Sequence, residues 1–108
     1  MSDFETFQKH FKFYQKLFGL TGWSVSFKSE PLGDAVADIS INYLDRIATV
    51  RFTQDKMKDE HIRRHAKHET LHLLFARLEG LGKARYVTSD DFYEAGEEAV
   101  RSLEDLIP

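Results

Sequence analysis

The sequence predicts an α+β domain in the order helix, three strands, two helices. Three observations carry that prediction. Aromatic residues recur at three- and four-residue steps near the start. Apolar and polar residues alternate through the middle. Apolar residues then return to helical spacing in two later segments. The 108 residues suit one domain spanning 1–108 and are too few for two.

The opening segment "SDFETFQKHFKFYQKLFGL" places Phe4, Phe7, Phe11, Tyr14 and Phe18 on one helical stripe. Ser2 and Glu5 have the spacing of a capping box, and Gly19 and Gly22 supply the stop. In Trp23–Lys28 the apolar Trp23, Val25 and Phe27 alternate with polar neighbours, which is strand periodicity with one buried face. Ala35–Leu44 and Ile47–Phe52 read as two further strands with Asp45 and Arg46 between them at hairpin spacing. The expected sheet is three-stranded and antiparallel, with the strand order left open. A second helix is expected from Asp59 to Glu79, stopped by Gly80 and Gly82. Ser89 then caps a third helix, which sets Val100, Leu103 and Ile107 on its inward side.

Composition narrows the function. An apolar fraction of 42% with nine Phe suits a small globular core. A net charge of −3 argues against a dedicated nucleic-acid partner. No apolar run is long enough to span a bilayer, and charges interrupt the apolar stretches of the N-terminus, so neither a membrane partner nor a signal peptide is expected. The absence of Cys excludes disulfides and thiolate metal sites and makes a reducing cytoplasm the simplest compartment.

Residues 68–72 read "HETLH". Two histidines four residues apart lie one turn apart on one helix face, where both imidazoles can reach one metal ion. A Glu immediately after the first His points about 100° away around the axis. The pattern H-E-x-x-H on a helix is that of a zinc peptidase, with the Glu as general base toward a metal-activated water. Here His68 and His72 are the candidate ligands and Glu69 the candidate base. Flanking residues Ile62, Ala66 and Leu73 on one side, and Leu71, Leu74 and Leu78 on the other, set the motif in a largely buried helix, where polar groups need partners. His61 and His65 fall on the same stripe. His61 lies about 10 Å from His68 along the axis, too far to share an ion. A 65/68 pair is possible but misplaces Glu69, so both are expected at the exposed helix start, solvated or lining a cleft.

A catalytic zinc site generally takes three protein ligands. No His follows His72, so the third is expected from the acidic stretch "YEAGEEAV". Helical geometry favours Glu97 as nearest the inward face, with Glu98 and Glu94 as alternatives.

With "HETLHLLFARL" on one helix and "EEAVRSL" on the next, the chain resembles the minimal zinc metallopeptidases called minigluzincins, and in particular the small H-E-x-x-H metallopeptidases of bacteriophages and prophages. The resemblance covers roughly residues 62–107; the strands match in pattern only. It implies a zincin-like fold, a gluzincin-like site with one zinc ion, a peptide or protein substrate and a bacterial or phage-infected host cell. In that fold an edge strand pairs with extended substrate, and the hairpin Ala35–Phe52 is the counterpart here. Tyr86, Tyr93, His65 and Arg85 are candidates for stabilising a transition-state oxyanion. The function expected is peptide-bond hydrolysis. The alternative is a catalytically silent zincin-like module that binds metal and serves as a protein-interaction domain.

Overall fold

The computed structural model describes residues 2–54, 58–83 and 88–108. The elements run α1 (Asp3–Leu17), β1 (Ser24–Ser29), β2 (Ala37–Asn42), β3 (Ile47–Phe52), α2 (Asp59–Leu74), α3 (Ala76–Lys83) and α4 (Ser89–Glu104). The aromatic stripe of α1 is core. Phe7, Phe11 and Tyr14 are fully buried, Phe7 stacks on Phe52 of β3 at 4.5 Å, and Phe11 meets Phe27 of β1 edge-on at 5.3 Å. Ser2 caps the helix by accepting from the Glu5 amide at 3.1 Å.

The sheet is mixed, with strand order β1-β3-β2. β3 lies parallel to β1 and antiparallel to β2. This corrects the antiparallel expectation. Alternation tells which residues face the core but not which strand is the neighbour. Residues 30–36 between β1 and β2 are long enough to cross β3, two strand spacings being about 10 Å. Their ends pair with the end of β3, the Glu30 amide on the Phe52 carbonyl and the Thr53 amide on the Val36 carbonyl. Arg51 fixes the register by donating to Asp38 at 2.8 Å and to Glu30 at 2.9 Å. β2 is therefore an edge strand. A turn at residues 43–46 ends it earlier than expected, with Asn42 Oδ1 accepting from the Asp45 amide and Arg46 at a φ of 55°.

The second helix also departs from expectation. It ends at Leu74, and a separate helix carries Gly80 and Gly82 instead of stopping at them. Gly80 has a packing reason: a Cβ there would stand 2.5 Å from the Tyr43 ring. Leu74, the last residue of α2, and Leu78 of α3 are exposed although both were expected on a buried flank. Ile62, Ala66 and Leu73 join Phe7, Phe11, Ala48, Val50 and Phe52 in the core cluster. The cap of α4 is Thr88 rather than Ser89, its Oγ1 accepting from the Asp91 amide. Ile107 lies beyond the helix; its carbonyl accepts from Lys67 Nζ at 2.6 Å.

Candidate metal centre

The faces of α2 divide the work of the helix. Ile62, Ala66 and Leu73 turn into the core, which leaves His68 and His72 facing α4. Their rings lie 5.0 Å apart between centroids. Thr70 and Leu71 between them are fully buried packing. On α4, Glu97 and Glu104 lie two turns apart and within about 20° of each other around the axis. They flank the buried Val100, so the packing that seats α4 also aims both carboxylates at α2.

His68, His72 and Glu97 come together. Each offers one ligand atom, and these atoms lie within 4.8 Å of one another. His68 Nε2 stands 3.7 Å from Glu97 Oε2, and His72 Nε2 contacts Glu97 Oε1 directly. It is the one such group among the described residues. Glu94 and Glu98 are exposed and stand outside it. His61 is exposed beside Glu60. His65 is half-buried, and burial together with His68 lowers its pKa. Both line a recess with Arg64, His68 and Glu104, on the side of His68 that its Glu104 contact occupies, and neither belongs to the His68, His72 and Glu97 group.

Two residues that the sequence did not single out complete the site. Glu104 meets His68 Nδ1 at 2.7 Å, and Glu79 of α3 stands 3.7 Å from His72 Nδ1. Each imidazole thus has Nε2 toward Glu97 and Nδ1 toward a second carboxylate. Histidines that bind zinc are held this way: the outer partner fixes the ring and its tautomer and leaves the inner nitrogen free to ligate. Glu104 had a signal, since it lies seven residues after Glu97 and so on the same face. Glu79 had the same signal, lying seven residues after His72 and so on the same face of a continuous helix, although the break at Phe75 puts the two on separate helices.

Glu69 is buried at 5% exposure. Burial raises its carboxyl from 4.5 to about 8; His72 opposes the rise, while Glu97, Asp38 and Glu104 reinforce it. Burial works against a charged His72, yet Glu79, Glu69 and Glu97 outweigh it and raise the imidazole. Four carboxylates around two imidazoles hold an excess of negative charge, which protons relieve here and a divalent cation could relieve instead. The donor set fits such a cation, since two imidazole nitrogens and a carboxylate are borderline ligands suited to zinc.

The group opens into a cleft of about 330 Å³. One wall is the edge strand β2, through Ala37, Ile39 and Ile41; Glu69, Glu79 and Tyr93 border the rest. Among the residues expected to stabilise an oxyanion, Tyr93 borders the cleft and is 58% exposed, while His65 lines the other recess. Arg85 and Tyr86 lie outside the described residues. Among the described residues no helix is long and apolar enough to cross a membrane.

Comparison with protein families, curated proteins and solved structures finds no match.

Proposed function

We propose that this chain is a zinc-dependent peptidase of the minigluzincin type, in which His68, His72 and Glu97 hold one zinc ion. The observation that carries the proposal is the convergence of those three side chains within 4.8 Å in a cleft walled by the edge strand β2. Zinc in such a site polarises a substrate carbonyl and lowers the pKa of water toward neutrality. Glu69 is the buried group beside it. It takes a proton from the attacking water and passes it to the amine that leaves as the C–N bond breaks. Its carboxyl must be ionised to begin, and a cation held by His68, His72 and Glu97 would offset the burial that otherwise keeps it protonated. The backbone of β2 pairs with an extended substrate, which orients the scissile bond toward the ligand group. Tyr93, which borders the cleft, is the candidate donor to the developing oxyanion.

The test joins metal analysis to hydrolysis. Protein purified without a histidine tag should bind one zinc ion per chain and cleave members of a broad peptide library. Glu69→Gln should retain the zinc and lose the cleavage. Hydrolysis undiminished in that variant would remove Glu69 as the base. Zinc bound without any hydrolysis would leave the metal-binding interaction module as the function.

A further inference from the structure

Gly96 immediately precedes Glu97 in α4. Glycine is among the poorest residues for a helix interior, and Gly96 is not among the glycines at positive φ, which are Gly19 and Gly33. Backbone freedom therefore gives no reason for it. Space does. A Cβ at position 96 would stand 2.5 Å from Glu79 Oε1 and 3.2 Å from its Cδ. That same carboxylate faces His72 Nδ1. The missing side chain leaves a notch in α4, and the Glu79 carboxylate lies in it.

We propose that Gly96 is a notch that admits Glu79 to His72, making Glu79 the positioning residue for His72 as a metal ligand. This rests on the zinc site proposed above. α3 is seated by a second glycine contact of the same kind, Gly80 against the Tyr43 ring, so its approach to α4 is set from both sides. Because the atom in the way is the tip of a flexible side chain, a methyl group at position 96 displaces Glu79 and leaves the helices in place. Glu79 then loses its hold on Nδ1, and the His72 ring is free to turn its Nε2 away from Glu97.

The experiment measures zinc affinity by competition with a chromophoric chelator for wild type, Gly96→Ala, Glu79→Ala and the double variant. Each single variant should bind zinc roughly 10- to 100-fold more weakly, the usual loss when the outer partner of a ligating histidine is removed. The double variant should bind no more weakly than Glu79→Ala, because the added methyl then has nothing to displace. Glu79→Gln, which still offers an oxygen to the Nδ1 proton, should recover part of the loss. The metal-free melting temperature of Gly96→Ala should equal or exceed that of wild type, since alanine is the better helix residue. Unchanged zinc affinity in Gly96→Ala would overturn the inference, as would losses that multiply in the double variant. A wild-type chain that takes up no zinc would overturn the metal site and this inference together. Wild-type binding with equally tight variants would overturn this inference alone.

Discussion

Glu69→Gln in the metal-free protein isolates the charge state of the site. The carboxyl is raised from 4.5 to about 8, so between those values the folded chain keeps a proton that the unfolded chain has released. When the folded state binds more protons, stability falls as pH rises, by about 1.4 kcal/mol for each pH unit. The loss begins above 4.5 and is complete near 8. His72 is raised too, and a base raised on folding also loses stability as pH climbs, but only from its ordinary 6.5 upward. Below that value His72 is protonated whether folded or not. The window from about pH 5 to 6.5 therefore belongs to Glu69, and across it wild type should lose about 2 kcal/mol relative to Glu69→Gln. Glutamine does not titrate, so any cost of burying its amide is constant with pH and drops out. Groups common to both proteins cancel in the same way. Urea unfolding in the presence of EDTA, followed by helical circular dichroism and extrapolated to water, supplies the two curves. Parallel pH dependences would refute the assignment of a buried, protonated Glu69.

Glu104→Ala should weaken zinc binding by about 10- to 100-fold through the freed His68 ring, read by the same chelator competition. A loss confined to melting temperature would instead make Glu104 a purely structural partner. Zinc should also raise hydrogen-exchange protection most in α4, whose one fully buried apolar residue among those described is Val100 and which is otherwise joined to α2 by Glu97 and Glu104. At a free zinc concentration about 1,000 times Kd the added protection approaches about 4 kcal/mol. Equal gains in α1 and the sheet would contradict a local staple.

The core and the two-histidine motif were legible because both follow from periodicity alone. Phe7, Phe11 and Tyr14 are buried where helical spacing put them, and His68 and His72 share a face because four residues make about one turn. The same geometry favoured Glu97 over Glu94 and Glu98, and it is the one of the three in the group that could hold a metal ion. What was not legible depends on contacts between elements. Strand order turns on how residues 30–36 cross β3, which no residue pattern in β1 or β2 encodes. The break at Phe75 was hidden because "LLFARLEG" keeps helical composition through it, and Gly80 and Gly82 looked like stops while in fact lying inside α3. Glu79 and His72 meet across that break, at 3.7 Å.

The protons of the site link folding to cation binding. In the metal-free chain, the excess negative charge is relieved by a proton on Glu69 and by a raised His72. Both protons leave as pH rises, and the metal-free fold weakens as they go. A cation would compete for the same relief: ligands must be deprotonated to bind it, so affinity should grow over the range where stability without it declines. The two trends oppose each other through the same atoms. Their balance falls on α4, because that helix carries Glu97 and Glu104 and, among its described residues, fully buries only Val100. Changes that shift the protons, such as Glu69→Gln, should therefore alter the stability gained from zinc even where the ligands themselves are untouched.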